Sequence, residues 1–300
     1  MSIRRLRTLL AVADEGTFAA AARVVFVSQA AVSMQMKSLE SELGTPLFDR
    51  KKRPPMFNAP GLALVPRARE IVRAYDEMLR ALSGTGGLAG ELTIGAVPTT
   101  MTGLVPKAIS GLRAAYPMLH IRVVPELSAG LLPQVDRGHL DAAIVSEPQY
   151  SISQLQWTPF AAEPLILLAA MDTREDDPEA LLRESPFIRF NRQAWVGRLI
   201  HEWLQEKRIH VREVMELDTL EAISTMVFHG LGVSIVPRRC VPSPSPLALK
   251  RIPLDAPNHG RVLGVIMRPD CSNRRLVEVF TEALVEQVRD AGQATVLTPE

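Results

Sequence analysis

The side chains with the clearest chemistry cluster near the front of the chain, in Ser28-Gln29-Ala30-Ala31-Val32-Ser33-Met34-Gln35-Met36-Lys37-Ser38-Leu39-Glu40. A glutamine amide can pair bidentately with an adenine edge, a serine hydroxyl can bond a base or a phosphate, and a lysine can reach guanine or the sugar-phosphate backbone. A second group, Arg50-Lys51-Lys52-Arg53, precedes Pro54-Pro55, so its cations are expected on a loop, where they suit phosphates. A solvated surface charge cluster would read the same in isolation; beside the first segment it points to duplex DNA. The candidate contacts are Ser28, Gln29, Ser33, Met34, Gln35 and Lys37 on a helix, and Arg50, Lys51 and Arg53 beside it.

Those residues need a scaffold. Ile3, Leu6, Leu9, Leu10 and Ala13 recur at helical spacing and Gly16 stops the run; Thr17 can cap a second helix from Phe18 to about Val25, where Ala19–Ala22 permit close packing. Ser28 stands where an N-cap starts a third helix, with Ala31, Val32, Met36, Leu39 and Leu43 facing inward and Gly44 at its end. Three helices followed by a basic loop make a winged helix-turn-helix over residues 1–60. From Gly61 to about Leu82, a stripe of Leu62, Val65, Ala68, Ile71, Val72, Tyr75, Met78 and Leu79 predicts an amphipathic helix. It either packs on its own domain or pairs with a second copy, and it reads as a dimerisation linker, with Ser83-Gly84-Thr85-Gly86-Gly87 as the joint that closes the 61–87 segment.

Beyond the joint, residues 88–300 alternate short apolar strands with helices. Strands are expected at Leu92–Val97, Ile121–Val124, Ala142–Val145, and near 164–169, 187–189, 211–217, 232–236 and 261–267. Helices are expected at Leu104–Ala115, Leu131–Arg137, Trp195–Lys207, Thr219–His229 and Arg274–Arg289. The order predicts α/β layers with mainly parallel strands. In such sheets ligands sit beyond the strand carboxyl ends, at helix amino termini. Thr99 and Thr100 after the first strand, Ser128 after the second, and Asn191, Arg192 and Thr219 after later strands converge on one such crevice, where Arg192 could meet a carboxylate. Each alone is an ordinary helix cap.

Composition narrows the classes further. A net charge of +1 conceals 13 Lys/Arg against 8 Asp/Glu in residues 1–90 and 21 against 25 in the remainder, which suits a polyanion-binding head on a body that does not touch nucleic acid. The two cysteines, Cys240 and Cys271, form neither a disulfide framework nor a zinc-finger spacing. Met1–Leu6 is too short an apolar run for a signal peptide, and no segment reaches the roughly 20 apolar residues of a membrane span, so a cytoplasmic protein without membrane contact is expected. The six histidines are dispersed, His201-Glu202-Trp203-Leu204-Gln205 lacks the second histidine of a zincin, and Gly232-Val233-Ser234-Ile235-Val236 lacks the closing glycine of a nucleophile elbow. Neither an enzyme nor a cofactor or metal is expected. Gly230-Leu231-Gly232 reads as a helix end rather than a dinucleotide fingerprint.

Residues 3–65 resemble the amino-terminal domain of the LysR-type transcriptional regulators. The resemblance rests on Leu9-Leu10-Ala11-Val12-Ala13 with Gly16-Thr17-Phe18, Ala20-Ala21-Ala22, Ser28-Gln29-Ala30-Ala31-Val32-Ser33, Leu39-Glu40, Glu42-Leu43-Gly44 and Pro46-Leu47-Phe48-Asp49-Arg50. Met34 and Ser38 replace basic residues common in the family, and Phe57-Asn58 stands where Leu-Thr is usual, with Asn58 still able to cap the next helix. Residues 91–290 are similar to the family's effector-binding domain, which implies a periplasmic-binding-protein-like pair of lobes: lobe 1 over about 88–161 and 268–292, lobe 2 over about 162–267. It also implies an effector pocket at Thr99, Thr100, Ser128 and Thr219, a homodimer or homotetramer on a dyad-like site in double-stranded DNA, and a small-molecule effector such as an organic acid. A transporter's solute-binding protein shares the body fold but lacks the DNA-reading head.

Overall fold

The computed structural model describes residues 2–50, 54–82, 88–148, 152, 154–255, 260–292 and 294–297. They form two compact units that divide at Gly90/Glu91. The expected wing cations Lys51 and Arg53 lie outside the described residues.

In the first unit, α1 (Ile3–Glu15), α2 (Phe18–Val24) and α3 (Gln29–Leu43) pack around Leu6, Leu9, Phe18, Ala21, Val32, Met36 and Leu39. The ends follow local chemistry. The Thr17 hydroxyl accepts from Ala20 N at 3.1 Å and the Ser28 hydroxyl from Ala31 N at 3.2 Å, each satisfying a first-turn amide that the helix leaves open. Gly16 (φ 74°) and Gly44 (φ 63°) terminate α1 and α3 in the left-handed region. Of the residues expected to face inward on α3, Leu43 in the last turn is exposed and Ala31 in the first is half-buried, so the buried face is confined to Val32, Met36 and Leu39 in between.

A short hairpin, β1 (Phe48–Asp49) paired antiparallel with β2 (Met56–Phe57), carries the wing. Next comes α4 (Ala59–Leu82), whose first turn is capped by Asn58 Oδ1 accepting from Gly61 N at 2.9 Å. Its apolar stripe divides: Val65 and Ala68 are buried in the head against α1, whereas Leu62 in the first turns and Ile71, Tyr75 and Met78 farther along are exposed.

The second unit holds two α/β lobes. In chain order the first contributes β3 (Gly90–Ala96), α5 (Leu104–Ala115), β4 (Leu119–Pro125), α6 (Ser128–Asp136), β5 (Ala142–Ser146) and β6 (Gln156–Glu163). The second contributes β7 (Leu165–Ala170), α7 (Pro178–Glu184), β8 (Pro186–Phe190), α8 (Trp195–Glu206), β9 (Arg212–Leu217), α9 (Leu220–Phe228), β10 (Ser234–Pro237) and β11 (Leu249–Pro253). The chain then returns through β12 (Arg261–Met267), α10 (Arg274–Ala291) and β13 (Thr295–Val296). The first lobe is a six-stranded sheet ordered β13-β6-β12-β5-β3-β4 with α10 packed on α5. In the second, β10-β7-β11 and β8-β9 are joined by a bridge from Phe187 to Val233.

The expectation of mainly parallel strands is corrected. β3 with β5 and β8 with β9 are parallel, but β12 runs antiparallel to both β5 and β6, and β7 antiparallel to β10 and β11. The reason is the double crossover: a strand that leaves one lobe and another that returns to it must run oppositely when they lie side by side. β12 belongs wholly to the six-stranded sheet, so the return to the first lobe comes at Arg261, ahead of the boundary at 268 that the resemblance implied.

Candidate nucleic-acid interface and effector crevice

Burial of Val32, Met36 and Leu39 fixes the rotation of α3, and at 3.6 residues per turn this turns Gln29, Met34 and Lys37 outward, where all three are exposed; Ser33 is half-buried beside them. Ser28 is exposed, but its hydroxyl is engaged in capping. Gln35 is only partly available, since its side-chain carbonyl accepts from the Thr8 hydroxyl of α1 at 2.6 Å. The outward face thus offers an amide, a thioether and an ammonium from the first residue of the helix to just past its middle.

Arg50 is placed differently from a free phosphate contact. Its guanidinium bonds Glu40 Oε2 at 2.6 Å, while Glu40 Oε1 accepts from Leu47 N at 2.8 Å and Phe48 N at 3.1 Å. Burial works against ionisation of Glu40, but Arg50 and the two amides outweigh it and hold the carboxyl below the usual carboxylate range. Glu40 therefore ties the base of the wing to α3, and Arg50 completes the tie.

In the second unit a crevice lies where strand ends of the two lobes meet, lined among others by Thr99, Ser128, Ser146, Trp195, Asp218 and Arg261. Of the residues expected there, Thr99 and Ser128 are brought together, both nearly fully buried. Thr100 is buried with its hydroxyl donating to Val97 O at 2.8 Å, and Thr219 caps α9 by accepting from Ala222 N at 3.2 Å; neither lines the crevice. Asn191 donates to Asp218 Oδ1 at 2.8 Å and also lies off the lining. Arg192 is half-exposed and ion-paired with Glu213 and Glu216, which raise its pKa, first through the Glu213 hydrogen bond. The cation expected to meet a carboxylate is therefore committed elsewhere.

The buried cation of the crevice is Arg261, which spacing could not reveal. It is 1% exposed, donates from Nη1 to Thr99 Oγ1 at 2.7 Å and from Nε to Glu163 Oε2 at 2.9 Å, and ion-pairs the same carboxylate through Nη2. Glu163 Oε1 in turn accepts from Cys240 N at 2.7 Å. The only sequence signal is a charged residue opening the apolar run Val262-Leu263-Gly264-Val265-Ile266; its partner is 98 positions away. With these contacts made, the crevice encloses about 20 Å³, close to the room one water needs. Among the described residues no group of His, Cys, Asp and Glu could hold a metal ion, and no single helix is long and apolar enough to cross a membrane.

Comparison with known proteins agrees with this architecture. Residues 3–61 match the family described as bacterial regulatory helix-turn-helix protein, lysR family, and residues 85–289 match the LysR substrate binding domain. A probable RuBisCO transcriptional regulator of Guillardia theta is 30% identical over 295 residues, covering 95% of each chain. A full-length OxyR variant from Pseudomonas aeruginosa superposes with a TM-score of 0.75 at 26% identity, covering 100% of this chain and 99% of that one. CbnR, solved with its target DNA, shares the fold with a TM-score of 0.59 at 21% identity over 97% of this chain and 100% of that one. A DNA-reading head joined to an effector-binding domain, matched along nearly its whole length, places the chain in the LysR family of transcriptional regulators.

Proposed function

We propose that α3 enters the major groove and reads base edges with Gln29, Ser33, Met34 and Lys37, while Lys51 and Arg53 contact phosphates and Arg50 with Glu40 holds the wing in position. The observation that carries this reading is the rotation of α3: Val32, Met36 and Leu39 are in the core, so Gln29, Met34 and Lys37 face away from it. In this reading residues 1–60 form the DNA-binding domain, 61–87 the linker helix and joint, and 88–300 the effector-binding domain. The exposed Ile71, Tyr75 and Met78 face of α4 pairs with a second copy, so that two heads meet two half-sites of a dyad-like operator as a dimer or a dimer of dimers, in the cytoplasm. A small-molecule effector enters the crevice beside Thr99, Ser128 and Arg261. Because the crevice as it stands has room for about one water, the effector acts by selecting a more open arrangement of the lobes.

The test is a comparison of operator and random DNA. Gln29→Ala is expected to cut operator preference by about tenfold with little effect on random DNA. Lys51→Ala is expected to weaken both and to lower the salt slope by about one. Equal losses on the two DNAs for both variants would refute the division of roles.

A further inference from the structure

A cavity of the second unit much larger than the crevice lies away from it, on the face of the β10-β7-β11 sheet beside α9. It measures about 620 Å³, within the range of small-molecule pockets, against about 20 Å³ for the crevice. Its floor is apolar: Ile166 and Leu168 from β7, Val236 from β10 and Leu249 from β11 all point to one side, because register pairs Val236 with Ile166 and places Arg251 opposite Leu168. Leu165 and Leu167 alternate to the other side of β7, and the floor residues are themselves well packed in the lobe's apolar cluster.

The rim is cationic. Arg238, Arg239 and Arg251 line the pocket with Glu221 as the one carboxylate on its wall. Among the described residues, Arg238 and Arg251 have no carboxylate partner. Arg239 is ion-paired with Glu221, yet its Nε is buried without a hydrogen-bond partner, a donor that ordinarily finds an acceptor. Ser224 and Ser243 also line it. An apolar floor, an excess of guanidinium over carboxylate and an unmet buried N–H together describe one ligand chemistry.

We propose that this pocket is a second ligand site, taking a small amphipathic anion: a carboxylate on an aromatic or short branched hydrocarbon body, with the hydrocarbon on the β7 floor and the carboxylate among Arg238, Arg239 and Arg251. It is distinct from the crevice, so its fate does not depend on where the primary effector binds. The test titrates full-length protein with benzoate, 4-methylpentanoate and the neutral isostere benzamide, followed by calorimetry. The acids are expected to bind and benzamide to bind at least about tenfold more weakly. Arg238→Ala/Arg251→Ala, at two exposed positions of which Arg251 gives up only long bonds to Leu247 O and Leu249 O, is expected to keep the parent's melting midpoint within a few degrees and to weaken the acids by about tenfold or more, and Ser224→Trp to abolish binding by filling the space. No binding of either acid up to about 10 mM would overturn the proposal, as would equal binding of benzamide. Binding that survives the double arginine variant but is lost in Thr99→Val would place the ligand in the crevice and also overturn it.

Discussion

Phe26 joins α2 to α3 with φ 54° and is 94% exposed. A large L-residue in the left-handed region costs about 1 kcal/mol, and this ring recovers nothing by burial in its own chain. Phe26→Asn, which tolerates that conformation, is expected to raise the thermal midpoint of the head by a few degrees; an unchanged or lower midpoint would mean the ring is held by contacts the turn does not show. Glu40 gives a second test, through pH. Its folded pKa lies below its unfolded value, so its contribution is present above the unfolded value of about 4.3 and is lost as pH falls through the folded one. Melting curves of the wild type are expected to decline below about pH 4 more steeply than those of Glu40→Gln, which starts lower at neutral pH because Leu47 N and Phe48 N lose their charged acceptor. Parallel pH profiles would remove Glu40 as the tie of the wing.

At the scale of elements, the amphipathic pattern of α4 divides into a buried part and an exposed part. The sequence stripe runs unbroken from Leu62 to Leu79, but Val65 and Ala68 go to the head and Ile71, Tyr75 and Met78 stay exposed. A double variant, Ile71→Glu with Met78→Glu, is expected to yield monomers by sedimentation with operator affinity down by about a hundredfold, because the avidity of two heads is lost. A variant that remains dimeric would assign dimerisation to other surfaces. The same element shows what is legible in sequence. Periodicity finds α1 to α4 and the caps Thr17, Ser28 and Asn58, because buried helical faces and first-turn amides are local demands. Strands β6 and β11 escape it. Gln156-Trp157-Thr158-Pro159 mixes polar residues with a proline, and Leu249-Lys250-Arg251-Ile252-Pro253 is too short to show a period; both are strands because of neighbours distant in sequence. In the crevice, Thr99 and Ser128 are readable from their places after strands. Arg261 is not, since nothing local announces that a strand's first residue will meet a carboxylate at the end of another.

Across the whole effector-binding unit, that carboxylate and guanidinium link the two crossings between lobes. Glu163 ends β6 and Arg261 begins β12, and the two are register partners, each 1% exposed. Removing one member leaves the other charged and buried, so Glu163→Gln is expected to cost about 3–5 kcal/mol in chemical denaturation, whereas Glu163→Met with Arg261→Met recovers most of it. A single variant as stable as the parent would show the pair to be solvated in solution. Cys240 is buried beside this pair, where burial and then the charge of Glu163 push its thiol well above the usual range, so it remains a thiol rather than a nucleophilic thiolate at neutral pH.

Two straps that cross between the same covers can be tied together at one point. The Glu163–Arg261 pair sits at such a point, where both straps leave the sheet. A change in the angle between the lobes is therefore expected to bear on this one contact before any other, so that loosening it should make the book easier to open.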